Sequence, residues 1–103
     1  MAEENKYPLD YERRFGGVAK LYTKAGAERL KNAHVCVVGL GGVGSWAAEA
    51  LARTAVGRIT LVDLDNVAES NTNRQLQAMT GVYGKPKVDA TAERIHAINP
   101  LCD

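Results

Sequence analysis

The feature that most restricts how this chain can fold is a glycine string, Gly39-Leu40-Gly41-Gly42-Val43-Gly44, set between two runs of different hydrophobic period. Before it, His34-Val35-Cys36-Val37-Val38 is short and almost continuously apolar, the pattern of a strand covered on both faces in a parallel sheet. After it, Val43, Trp46, Ala47, Ala50, Leu51 and Thr54 recur at helical spacing, with Glu49 and Arg53 off that stripe. Residues 43–54 are therefore expected to form a helix that turns Trp46 to the sheet as core. Gly57 ends it, and Arg58-Ile59-Thr60-Leu61-Val62-Asp63 is the second strand. The 30 residues from 34 to 63 read as one strand–helix–strand unit of the usual crossover size. At such a turn, glycines permit a tight reversal and close approach, and the helix N-terminus presents N–H groups. The arrangement suits a phosphate.

The rest of the chain is organised around that unit. Residues 1–10 are polar and broken by Pro8, and are expected to be a flexible lead-in. Tyr11 to Leu21 carries Gly16-Gly17 and is expected to form a short helix followed by a turn. Thr23 can cap a further helix reaching Asn32. Residues 65–73 read as a polar loop, Arg74 to Met79 as a short helix, and Gly81 and Gly84 as marks of a second loop. Pro86 opens a helix that runs to Asn99 with Val88, Ala92, Ile95 and Ile98 inward, and Pro100 stops it. A length of 103 residues allows one domain. Two parallel strands do not make a stable sheet alone, so residues 11–103 are expected to be the N-terminal half of a Rossmann-like α/β domain. That domain is a parallel sheet with flanking helices, continuing beyond Asp103.

Composition removes several classes. With 13 Lys+Arg against 12 Asp+Glu, the formal net charge is +1, which excludes a strongly basic nucleic-acid glove as the main identity. No apolar run approaches a membrane span and the first residues lack a signal-peptide core, so the cytoplasm is the expected location. Two cysteines, Cys36 and Cys102, make neither a disulfide framework nor a zinc site. Cys36 is expected in the core and Cys102 at the start of a strand, with His34 structural and His96 solvated.

The polar residues after the glycines carry the chemistry. Asp63 ends the second strand 24 positions after Gly39, near the offset of about 20 at which a carboxylate accepts hydrogen bonds from a ribose. Asp65 follows, suited to assisting a magnesium ion or capping the loop. These features alone also fit a nicotinamide dehydrogenase. Asn71, Asn73, Arg74 and Gln75, then Lys87 in Gly84-Lys85-Pro86-Lys87, tip the balance. Arg and Lys around a triphosphate serve an adenylating site, where charge grows on the α-phosphate and the departing pyrophosphate. Lys85 is the nearest rival of Lys87.

Taken together, Gly39-x-Gly41-Gly42-x-Gly44, Asp63-x-Asp65, Asn71-x-Asn73-Arg74-Gln75 and Lys85-Pro86-Lys87 resemble the ubiquitin-activating-enzyme, or ThiF-like, superfamily. Within it, Arg14-Phe15-Gly16-Gly17 with Leu21-Tyr22, and Gly44 through Thr54, resemble the tRNA threonylcarbamoyladenosine dehydratases. The resemblance covers residues 11–103. It implies that ATP with Mg2+ is bound, with Gly41 and Gly42 facing the phosphates, Asp63 on the ribose, and Asn71, Arg74 and Lys87 on the triphosphate. Arg14, or Arg13 beside it, would reach the ATP of the partner subunit in a homodimer. It further implies adenylation of the threonyl carboxylate of threonylcarbamoyladenosine in tRNA, followed by ring closure. A sister reading is adenylation of a ubiquitin-like or sulfur-carrier protein, with a sulfur-transfer protein as partner. A NAD-dependent oxidoreductase and a non-catalytic nucleotide-binding module are the remaining alternatives.

Overall fold

In the computed structural model, which describes residues 10–103, the order of elements is α1 (Tyr11–Lys31), β1 (His34–Val38), α2 (Gly44–Arg53), β2 (Arg58–Val62), a 3-10 turn (Glu69–Asn71) and α3 (Lys87–Ile98). The lead-in expected over residues 1–10 lies outside the described residues except for Asp10. Asp10 caps α1, its side chain accepting a hydrogen bond from the Arg13 N–H at 3.0 Å.

The two strands pair in parallel, in the register His34↔Arg58 to Val38↔Val62. Helices α2 and α3 pack on each other and on the same side of this ribbon. Val37 and Leu40 meet Ala48, Ala52, Ile95 and Cys102 there, with Ile59, Leu61 and Val88 against them. This is the expected Rossmann-like crossover. The chain also begins a third row, since Asp103 donates its N–H to Gly57 O at 3.0 Å and accepts from the Ile59 N–H at 2.9 Å. Cys102 is buried beside it, as expected.

Four expectations are corrected. The strands are not covered on both faces among the described residues: His34, Cys36, Val38, Arg58, Thr60 and Val62 are exposed, because both packed helices take the opposite face. Cys36 is therefore exposed rather than core. The turn at Gly16-Gly17 is absent, and α1 runs through both glycines, held by buried Phe15. A mid-helix glycine costs only about 1 kcal/mol. The break comes at Thr23 (φ 70, ψ 167), whose Oγ1 accepts from the Gly26 N–H at 3.2 Å, so the expected cap of the second helical half is present. The helix expected over Arg74–Met79 is replaced by turns, and helical winding occurs earlier, at Glu69–Asn71. Asn71 Oδ1 accepts from the Ala68 N–H at 2.9 Å and Thr72 Oγ1 donates to Glu69 O at 2.6 Å, local bonds that compete with a continuing helix.

The fourth correction concerns the face of α2. Ser45, Ala48 and Ala52 point inward, whereas Val43, Trp46, Ala47 and Ala50 are exposed. Glu49 turns inward and pairs with Arg94 of α3 and with Arg53, the latter at 3.4 Å. Partners for these polar groups rotate the buried stripe away from the one that hydrophobicity alone selects.

Candidate functional site

The site is built at the carboxyl ends of the two strands. Gly39 takes φ +90, and its N–H continues the ladder to Val62 O at 2.8 Å. The chain then turns so tightly that a Cβ on Gly44 would lie 1.7 Å from Gly39 O. This is the close approach that only glycine allows. The N–H groups of Gly41, Gly42, Val43 and Gly44 have no acceptor among the described residues. They sit at the N-terminus of α2, where the helix dipole adds positive potential. A Cβ on Gly41 would meet nothing nearer than Gln75 Nε2 at 3.9 Å, and one on Gly42 nothing nearer than Arg74 Cγ at 3.7 Å. The loop thus offers donors and open space together, the requirement for an anion.

Asp63 closes the other side. Its Oδ2 accepts from the Leu40 N–H and its Oδ1 from the Asp65 N–H, both at 2.8 Å. The Leu40 and Asp65 bonds, then the nearby Lys87 charge, hold its carboxyl below the usual carboxylate range. Lys87 is buried at the start of α3, and its N–H donates to Asp65 O at 2.9 Å. Lys85 instead pairs with Glu93 at 3.3 Å on the surface, which separates the two rival lysines.

The Arg74 segment lies against the glycine loop. Arg74 Nη1 donates to Ser70 O at 3.0 Å and to Asn73 Oδ1 at 2.8 Å. Gln75 is buried beside Gly41, and Asn71 holds the 3-10 turn. The structure therefore brings together Gly39, Gly41, Gly42, Gly44, Asp63, Asp65, Asn71, Asn73, Arg74, Gln75 and Lys87. It does not bring in Arg14. That side chain donates to Ile98 O at 3.2 Å, beside Arg53. It lies at the far end of α2, a helix about 15 Å long, so Arg14 cannot serve the loop of its own chain in this arrangement. No group of three or more His, Cys, Asp or Glu side chains placed to hold a metal ion occurs among the described residues. Among the described residues no helix is long and apolar enough to cross a membrane.

Sequence reasoning missed Leu40 and Gln77. Leu40 is fully buried, and its carbonyl accepts from Gln77 Nε2 at 2.9 Å. A glutamine in a turn carries no pattern that announces this. Ser45 was missed as well: its Oγ donates to Gly41 O at 2.6 Å and accepts from the Leu76 N–H at 3.3 Å. Its place one residue after the last glycine was the available signal.

Known proteins are similar to this chain in sequence and fold. The tRNA threonylcarbamoyladenosine dehydratase of Haemophilus influenzae is 53% identical over 93 residues, which cover 90% of this chain and 36% of the relative. The crystal structure of the Escherichia coli tRNA N6-threonylcarbamoyladenosine dehydratase in complex with ATP superposes with a TM-score of 0.89 at 52% identity, covering 93% of this chain and 40% of that one. The molybdopterin-synthase adenylyltransferase of Salmonella typhimurium is 45% identical over 75 residues, 73% of this chain and 30% of the relative. The chain thus spans about a third of the length of the curated relatives it matches. With the glycine turn, the parallel crossover and a match to the ThiF family over residues 11–103, the chain belongs to the ThiF family.

Proposed function

We propose that residues 11–103 form the ATP-binding segment of an enzyme that adenylates a carboxylate, the threonyl carboxylate of threonylcarbamoyladenosine in tRNA. One observation carries the reading. Four N–H groups at Gly41–Gly44 are without an acceptor among the described residues, with open space over Gly41 and Gly42, Arg74 beside Gly42, and Asp63 bonded to the adjoining Leu40 N–H with the Lys87 charge nearby. The identity to two dehydratases and the ATP complex of one of them support the substrate and the nucleotide.

In this reading the loop N–H groups bind the triphosphate and Asp63 accepts hydrogen bonds from the ribose hydroxyls. Asp63 keeps lone pairs free for this, because each oxygen accepts one backbone bond. Asn71, Arg74 and Lys87 contact the triphosphate. Arg74 uses Nη1 toward Ser70 and Asn73, and its Nε and Nη2 donors remain for the phosphates. A carboxylate oxygen of the substrate bonds to the α-phosphorus as pyrophosphate departs with the electron pair. The neighbouring carbamoyl group then attacks the acyl carbon, AMP leaves, a proton is lost, and a ring closes with net loss of water. Arg and Lys offset the charge that grows on the departing oxygens. Mg2+, when bound, would offset charge on the triphosphate, and Asp65, an exposed carboxylate beside Asp63, would assist in holding it. Arg14 would act on the ATP of the partner subunit of a homodimer, consistent with its distance from its own loop. Location in the cytoplasm belongs to the same proposal.

The test uses a chimera in which residues 11–103 replace the matching segment of the Escherichia coli dehydratase. Threonylcarbamoylated tRNA is expected to elicit AMP from ATP, and Arg74→Ala to lower that rate by on the order of a hundredfold with folding intact. A sulfur-carrier protein that elicits AMP where the tRNA does not would move the assignment to the sister enzymes, the reading that the 45% identity to the adenylyltransferase favours. Equal or tighter binding of NAD than of ATP by this chain, measured by isothermal titration, would remove adenylation altogether.

A further inference from the structure

Three hydrogen bonds tie the segment that carries Arg74 to the glycine loop and the start of α2. Trp46 Nε1 donates to Arg74 O at 3.0 Å. Ser45 Oγ accepts from the Leu76 N–H at 3.3 Å, and Gln77 Nε2 donates to Leu40 O at 2.9 Å. Of these, the Trp46 bond reaches the arginine itself. Trp46 is also 53% exposed in the first turn of α2, an unfavourable place for the largest side chain unless its N–H is used. Its ring does not fill the core, which is made by Ser45, Ala48 and Ala52 on the other face.

We propose that Trp46 is a positioning residue for Arg74. The indole has two rotatable bonds, so it fixes a carbonyl with little loss of side-chain freedom. The Arg74 N–H is already taken by Asn71 O at 3.2 Å. With its carbonyl held as well, the backbone of Arg74 has a set place, and its Cγ lies over Gly42, 3.7 Å from where a Cβ would stand. The same helix therefore supplies the phosphate-facing N–H groups and sets the register of the arginine that answers the charge developing on those phosphates. The phosphate-binding turn that leads into α2 and the charge-stabilising arginine are thereby tied to one helix. This inference rests on the adenylation reading, in which Arg74 acts on the triphosphate.

Trp46→Phe keeps a ring and removes the N–H. In the chimera, this variant is expected to leave the KM for ATP within about twofold and to lower kcat for AMP formation roughly five- to tenfold, the loss of one ordinary hydrogen bond's worth of placement. A double-mutant cycle supplies the decisive readout. In an Arg74→Ala background, Trp46→Phe is expected to have no further effect on kcat. A loss of the same factor in both backgrounds, or a loss confined to KM, would overturn the proposal while leaving the role of Arg74 intact. An Arg74→Ala protein with normal kcat would overturn the adenylation reading itself. Thermal melting closes the remaining route: a Trp46→Phe protein that melts far below its parent would make Trp46 a packing residue, also against the proposal.

Discussion

Gly44→Ala tests the geometry of the loop most directly. The added methyl would stand 1.7 Å from Gly39 O and 2.7 Å from Gly39 C. Both are backbone atoms, so no rotamer relieves the clash. Contacts of a Cβ below 3.0 Å essentially do not occur, so the end of β1 must withdraw by about 1.3 Å, the difference between 3.0 and 1.7 Å. That movement pulls on the Gly39–Val62 and Leu40–Asp63 bonds, both 2.8 Å long, and on Leu40, which is fully buried. Two weakened hydrogen bonds at about 1 kcal/mol each, with about 1–3 kcal/mol for overpacking, give a destabilisation of roughly 3–5 kcal/mol. For a chain of this size the melting temperature falls by on the order of 15 °C. The controls are Gly41→Ala and Gly42→Ala, whose methyl groups meet nothing closer than 3.9 and 3.7 Å. They are expected to melt with the parent yet to bind ATP about tenfold or more weakly, because the methyl occupies the phosphate's space. Calorimetry without nucleotide reads the first effect and isothermal titration the second. A Gly44→Ala protein that melts with the parent, or a Gly41→Ala protein that falls as far as Gly44→Ala, refutes this account of the loop.

Three further outcomes are expected. Asp63→Ala removes the acceptor of two loop N–H groups as well as the proposed ribose contact, so it should weaken ATP binding by about tenfold and also lower the melting temperature; a change in affinity with unaltered melting would show that the two loop bonds contribute nothing. Asp63 and Glu49 both have lowered carboxyl pKa values. For Glu49, burial alone would raise it, but hydrogen bonding and charge from Arg94, then Arg53, outweigh that. Their stabilisation is therefore present above the unfolded value of about 4 and lost as pH falls through the lower folded values. Acid titration of Glu49→Gln should show a shallower decline below pH of about 4 than the parent, and an unchanged slope would exclude Glu49 from it. Thr23 sits at φ 70, ψ 167, a conformation that costs a side chain about 1–3 kcal/mol. Thr23→Gly should thus melt at or above the parent even after the loss of the cap and the greater freedom of the unfolded chain, whereas Thr23→Val, which keeps the strain and loses the cap, should melt below it.

Much of the site is legible in the sequence because its parts are local. The glycine string, the strand on each side of the helix and Asp63 at the end of β2 lie in one unbroken stretch, and backbone sterics dictate their arrangement. Lys87 and Lys85 are indistinguishable by type; Glu93, two turns along α3, captures one, and Asp63 faces the other. The face of α2 was hidden for a different reason. Glu49 is drawn inward by Arg94, 45 positions away in the chain, and Ser45 by Leu76 and Gly41. Periodicity treats both as outward residues and so assigns Trp46 to the core. The segment from Arg74 to Met79 has acceptable helix formers, but Asn71 and Thr72 side chains bond the backbone just ahead of it. Cys36 and Val38 look like core because the strand is apolar throughout, while the helices among the described residues cover one face alone.

Trp46 has a practical consequence beyond its chemistry. It is the sole tryptophan of the chain, half in water and half fixed, with its N–H engaged by Arg74. This chain therefore carries an intrinsic fluorophore at the junction between the glycine turn and the arginine segment. Any movement of that segment on nucleotide entry changes the polarity and hydrogen bonding of the indole, and with them its emission maximum and lifetime. Rapid mixing can follow the rate at which the site assembles around its ligand without attaching a dye.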